Sequence, residues 1–203
     1  MQPTNARAHE TWWKNASSHF LRTPEELTHP VRPALQAIAQ DLGAKTVLEV
    51  GCATAIDCPA YLDRGMSYTG FDMTPNLLAR AKELNPRGIF ISGNATELSV
   101  PDASYDFVFC KDLLEHLQPD DAEKVVRQMF RASKRGIAIA FFMPLAAEAH
   151  VEIRRRHFPR SLWDKTFFYN NTYARSTMLA IFESLGGAVR EHQPNTLFSI
   201  VRK

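Results

Sequence analysis

The chain has 203 residues, enough for one domain with a full core, and its 45% hydrophobic and 23% charged content is ordinary for a soluble globular protein. A formal net charge of +2 gives no general attraction to nucleic acid or to a membrane. No apolar run approaches the ~20 residues that span a bilayer, and the polar N-terminus lacks a signal-peptide core. The three cysteines, Cys52, Cys58 and Cys110, are odd in number and lack close metal-binding pairing, so a reducing cytoplasm is the expected setting.

In chain order, residues 1–44 read as a helical cap. Pro30-Val31-Arg32-Pro33 marks a turn before a helix through Asp41. A strand is expected at Thr46–Val50, a short helix near Pro59–Arg64 and a second strand at Ser67–Asp72. Thr74 and Pro75 then open a helix whose Leu77, Leu78, Ala81 and Leu84 share one face. Asn85-Pro86 stops it. Strands follow at Ile89–Ser92 and Tyr105–Cys110. A helix over Asp120–Ser133 turns Ala122, Val125, Val126, Met129 and Phe130 to the core. The strand Gly136–Phe142 is almost wholly apolar, as one buried on both faces should be. Residues 144–172 form an insertion rich in charge and aromatics. A last helix carries Met178, Leu179, Ile181, Phe182 and Leu185 and stops at Gly186-Gly187. Two strands near Ala188–His192 and Leu197–Val201 close the chain. The alternation predicts a single α/β domain over 1–203, with a mostly parallel sheet covered by helices on both faces.

The chemistry concentrates at two strand tips. Val47-Leu48-Glu49-Val50 runs into the small-residue turn Gly51-Cys52-Ala53-Thr54-Ala55. About twenty residues later a second apolar run ends in Asp72. A strand stopping at a tight turn, then a strand with an acid at its tip, is how open α/β sheets hold a nucleoside. The turn lets the backbone approach, and the second acid accepts both ribose hydroxyls. Glu49, two positions before the glycine, favours a cationic nucleoside such as S-adenosylmethionine (SAM) over a pyrophosphate.

Together with Gly70-Phe71-Asp72-Met73-Thr74-Pro75, Gly93-Asn94-Ala95 and Tyr105-Asp106-Phe107-Val108-Phe109, this segment resembles the class I SAM-dependent methyltransferases of small-molecule type. The resemblance runs from about Thr46 to the C-terminus. It implies a Rossmann-like, doubly wound sheet of seven strands with the last antiparallel. It also implies SAM as cofactor and S-adenosylhomocysteine (SAH) as product. In the family's first motif, (Asp/Glu)-x-Gly-x-Gly-x-Gly, the second and third glycines are here Ala53 and Ala55. A methyl fits there where φ is negative and the ligand is not against Cβ. The resemblance assigns Glu49, Gly51, Ala53, Asp72, Met73, Asn94, Ala95 and Lys111 to the cofactor. The Asn94 carbonyl would accept from the adenine amine.

Methyl transfer from a sulfonium needs alignment and sometimes proton removal, so one obligatory catalytic residue is not expected. Lys111-Asp112-Leu113-Leu114-Glu115-His116 follows a strand at the sheet's carboxyl edge. His116 is the candidate base for a substrate hydroxyl. Metal is not expected. The alternative is a divalent ion on Asp112, Glu115 and His116, a pattern similar to the Glu-x-x-Glu-His of ubiquinone-pathway O-methyltransferases. Trp12 and Trp13 in the cap, with Tyr169 and Tyr173 in the insertion, are candidates for the acceptor site. Their bland alternative is packing. The basic run Arg154-Arg155-Arg156-His157, with Arg160, suits a small anionic acceptor or a solvated face, and overall charge argues against nucleic acid.

The expected function is methyl transfer to oxygen or nitrogen of a small molecule. A protein of the same fold that binds SAM or SAH without turnover is one alternative. A nicotinamide oxidoreductase is another, but Ala53 and Ile56 stand where its fingerprint needs glycines.

Overall fold

The computed structural model describes residues 29–148, 150–154 and 168–203. The elements in order are helix α1 (Val31–Asp41), strand β1 (Thr46–Val50), α2 (Cys58–Leu62), β2 (Ser67–Asp72), α3 (Pro75–Leu84) and β3 (Ile89–Ser92). Then come β4 (Tyr105–Lys111), α4 (Pro119–Ala132), β5 (Ser133–Ala140), β6 (His150–Arg154), β7 (Phe168–Thr172), α5 (Arg175–Ser184), β8 (Ala188–Gln193) and β9 (Leu197–Val201). Single 3-10 turns stand at Ala95–Glu97 and Leu114–His116.

Seven strands form one sheet in the order β3-β2-β1-β4-β5-β9-β8. The first five are parallel, and β9 runs antiparallel to both β5 and β8. Strand order reverses between β1 and β4, so a crevice opens at their carboxyl ends, where ligands bind in such sheets. Successive side chains alternate between two cores. Leu48, Val50, Val108, Ile137 and Ile139 meet α4 and α5 on one face. Val47, Phe107, Phe109 and Ala138 meet α1, α2 and α3 on the other. Among the described residues no helix is long and apolar enough to cross a membrane.

Several boundaries differ from the sequence reading. α1 starts at Val31, so Pro33 lies in its first turn, where N–H groups have no intrahelical partner to lose. β5 runs Ser133–Ala140, and Phe142 lies beyond it, 63% exposed. Leu84 is also exposed, because α3 ends there before the neighbouring core is reached. Phe130 is only partly buried, with the Arg202 guanidinium over its ring at 4.1 Å. The insertion contains an antiparallel hairpin of β6 and β7, paired from His150↔Thr172 to Arg154↔Phe168.

Asp106 joins two strand starts. Its Oδ2 accepts from Lys45 N at 2.8 Å and Thr46 N at 3.0 Å, while Asp106 N donates to Thr46 Oγ1 at 2.8 Å. Burial works against its charge, but these hydrogen bonds hold the carboxyl below its ordinary value. Asp106→Ala should lower stability by about 1–3 kcal/mol, the range for unpairing partly buried donors. Urea unfolding at pH 7 checks this, and the deficit should shrink in acid as the wild-type carboxylate itself protonates.

Candidate active site

β1 ends in a turn with left-handed backbone at alternate positions: φ is +78° at Gly51, +47° at Ala53 and +53° at Ala55. The alanines therefore keep the glycine geometry, contrary to the expectation of negative φ. Each bears the strain of a Cβ in that region, about 1–2 kcal/mol. Hydrogen bonds hold the turn in place. Gly51 N and Cys52 N both donate to Phe71 O, at 2.7 and 3.2 Å, and Ala55 N donates to Cys52 O at 2.7 Å. Ala53 N donates to Asp72 Oδ2 at 2.9 Å, and Asp72 Oδ1 accepts from Thr74 N at 2.8 Å. Asp72 thus fastens the first turn to the second. Burial raises its pKa, and those same hydrogen bonds oppose the rise.

A cavity of about 430 Å³ opens over these turns. Glu49, Gly51, Ala53, Asp72, Met73, Asn94, Ala95, Lys111 and His116 all line it. Asn94 departs from its expected role, because its Oδ1 already accepts from Thr96 N at 3.0 Å and Thr96 Oγ1 at 2.9 Å. What it has left to offer is its amide, a donor. Lys111 pairs with Asp112, which also lines the cavity and sits at φ +55°.

The sequence reading missed Arg32, Asp57 and Phe142, all in the cavity wall. Arg32 and Asp57 form a buried ion pair between α1 and the start of α2. Beside them the Tyr68 hydroxyl donates to the Glu49 carboxylate. Phe142 stands at the rim. In sequence Arg32 reads as part of the Pro30–Pro33 turn, and Asp57 carries no motif of its own.

Two candidates lie away from the cavity, Tyr173 and Glu115. Tyr173 is 3% exposed, and its hydroxyl lies 2.8 Å from both Leu114 O and Leu117 O. It braces the 3-10 turn and cannot face an acceptor. Glu115 turns inward, where its Oε1 accepts from the backbone N–H of Phe142 and of Met143. Its Oε2 is buried without a hydrogen-bond partner. Asp112, Glu115 and His116 therefore do not converge. Among the described residues no three His, Cys, Asp or Glu side chains gather where one ion would fit. Trp12 and Trp13 lie outside the described residues, as do 155–157 and Arg160 of the basic run. Tyr169 and Arg154 are described through their strands alone.

Residues 48–141 match the methyltransferase domain family. That stretch of the chain is similar to a methyltransferase domain. Ubiquinone biosynthesis O-methyltransferase of Pseudomonas fluorescens (strain Pf0-1) is 32% identical over 142 residues, 67% of this chain and 58% of that protein. The Nitrosomonas europaea protein of the same name is 33% identical over 134 residues, 62% of this chain and 54% of its own length. The chain thus spans little more than half the length of these relatives. In structure it is similar to magnesium protoporphyrin IX methyltransferase (ChlM) of Synechocystis PCC 6803 with bound SAH. That likeness has a TM-score of 0.66 at 13% identity and covers 99% of this chain and 95% of the other. The sugar N-methyltransferase KedS8 of Streptoalloteichus sp. ATCC 53650 gives a TM-score of 0.64 at 14% identity, over 85% and 86% of the two chains. These likenesses place the domain in the class I, Rossmann-like fold.

Two outcomes follow from the domain's geometry. In Ala53→Gly the relief of left-handed strain should exceed the added chain entropy, a net gain of about 0.5–1 kcal/mol. In Ala55→Gly the gain should cancel, because the lost methyl is wholly buried and contributes about 0.8 kcal/mol. Denaturant unfolding of the two variants checks the contrast.

Burial, and next the charge of Asp112, push the Glu115 pKa up to about 8. The folded protein then holds a proton that the unfolded chain has lost above the ordinary glutamate range. Stability should therefore fall as pH rises from about 5 to 8, by up to about 1.4 kcal/mol per unit from this group. Glu115→Gln should flatten that slope, read by unfolding at several pH values.

Proposed function

We propose that the protein is a SAM-dependent methyltransferase acting on a hydroxyl of a small molecule. The observation that carries this reading is the cavity itself, in which the left-handed turn after β1 and the carboxylate of Asp72 stand at adjacent strand tips. The donor set fits the cofactor. Gly51 presents bare backbone at a conformation suited to glycine. The Asp72 carboxylate, which takes backbone donors from both turns, lines the cavity, where its oxygens can also accept from a ribose hydroxyl. Arg32, with Glu49 and Asp57, offers charges of both signs for an amino-acid moiety.

SAM, when bound, supplies a methyl group already activated on a sulfonium sulfur. The chain's own residues bind, align and shield. Met73 and the Asn94–Ala95 turn flank the space beyond Asp72, where a nucleobase fits. Lys111, Asp112, His116 and Phe142 border the cavity and leave room for the acceptor. His116 is placed to take the proton of an acceptor hydroxyl. Oxygen is favoured over nitrogen by the O-methyltransferase relatives. The exposed aromatic face of Phe142 favours an acceptor with a flat or apolar portion. An anionic acceptor is supported by the basic run of the insertion. Cys52, Cys58 and Cys110 are buried and reduced, which suits the cytoplasm.

Calorimetry should find binding of SAM and SAH and none of NAD. Asp72→Ala should weaken SAH by at least about 1.5–3 kcal/mol, the range for a charge-assisted hydrogen bond. Circular dichroism must show the fold intact, because Asp72 also braces the turn. A folded variant with unchanged SAH affinity would overturn the ribose assignment.

A further inference from the structure

The wall of the cavity under β1 holds more acid than it can neutralise. Glu49 and Asp57 are each 3% exposed and repel one another. Among the described residues their cations are Arg32, paired to Asp57, and Lys111, paired instead to Asp112. Three carboxylates thus share two cations. The other titratable groups around Glu49 are neutral: Tyr68 from β2, Tyr61 from α2, Cys52 from the turn and Cys110 from β4. Each is itself held in its protonated form by burial and by the nearby acids. Tyr68 donates one hydrogen bond to Glu49, which compensates only part of its lost hydration.

We propose that the Glu49–Asp57 pair is a charge-exchange site, in which Glu49 holds a proton until the positively charged cofactor replaces it. This rests on the cofactor reading above. A buried carboxylate without a cation of its own is stable only when protonated. Burial, then Asp57, push the Glu49 pKa well above its ordinary value, while Tyr68, Lys111 and Arg32 pull it back. The cavity that Glu49 and Asp57 line is open to a ligand, and a ligand cation there supplies the missing charge. SAM carries an ammonium, a sulfonium and a carboxylate, a net charge of one. SAH lacks the sulfonium and is neutral overall. SAH therefore leaves a site that regains its proton, and charge helps to separate cofactor from product.

Calorimetry of the full chain with SAM and with SAH, in buffers of different ionisation enthalpy, counts the protons released on binding. SAM should release a proton on binding over the pH range in which Glu49 of the ligand-free protein is protonated, and SAH less. SAM affinity should rise with pH by up to about tenfold per unit, over a range starting above the ordinary carboxylate titration. Glu49→Gln should still bind SAM but lose the proton release. Should that variant not fold, Tyr68→Phe serves in its place. Removing the donor should move the pH dependence of SAM binding upwards. SAM binding without proton release overturns the proposal while leaving the cofactor reading standing. So does equal release by SAM and SAH, the same release from Glu49→Gln, or an unshifted Tyr68→Phe profile. Absence of SAM binding at any pH would overturn the cofactor reading and the proposal with it.

Discussion

The backbone between Gly51 and Ala55 governs the rest of the site. β1 is buried on both faces to its last residue, and the chain must leave it within a few positions to begin α2. Left-handed φ at every second residue achieves this reversal. Such a turn is not stable alone. It is held by the tip of β2, through Phe71 O and the Asp72 carboxylate. The acid at the tip of β2, the proposed ribose ligand, thus also shapes the turn beside it. A carboxylate can serve both, since each oxygen accepts more than one hydrogen bond.

The second constraint is electrostatic. Parallel strands buried on both faces leave polar groups no room except at their ends, and this domain puts carboxylates at those ends. Glu49 and Glu115 are nearly removed from water and Asp72 is partly so, and burial raises the pKa of each. They are satisfied differently. Asp72 takes backbone N–H groups from two turns. Glu115 takes two from the chain after β5 and keeps one oxygen bare. Glu49 relies on a tyrosine. The first two tie the loops that border the cavity, and Asp72 and Glu49 both line it.

The sheet was legible because its strands are short apolar runs ending at small residues, and Thr46–Val50, Ser67–Asp72 and Ile89–Ser92 carry that signal without ambiguity. The cofactor candidates were legible for the same reason, since strand ends in this topology converge on one crevice. The hairpin of β6 and β7 was not, because its residues are mixed in charge and lack a turn signal near either strand. Tyr173 looked like an acceptor residue by its neighbours in sequence. Nothing local reveals that its hydroxyl serves the carbonyls of Leu114 and Leu117, distant by more than fifty positions. Arg32 and Asp57 were hidden likewise, since a pair that far apart along the chain meets only once α1 packs beside α2. Pattern reads periodicity, and long-range pairing has none.

Phe142 shows where the two kinds of information meet. As a sequence position it ends an apolar run and belongs to the core. In the structure β5 stops two residues earlier, the N–H of Phe142 is captured by Glu115, and the ring is left exposed at the cavity rim. Buried Glu115 thereby sets the backbone that presents an aromatic ring at the cavity rim. The same 3-10 turn that supplies Glu115 also supplies His116 to the cavity wall, and Tyr173 holds that turn from behind. The His116 turn and the Phe142 ring are thus fixed to one another through two buried side chains, Glu115 and Tyr173, so both are held by the same packing that buries the end of the sheet.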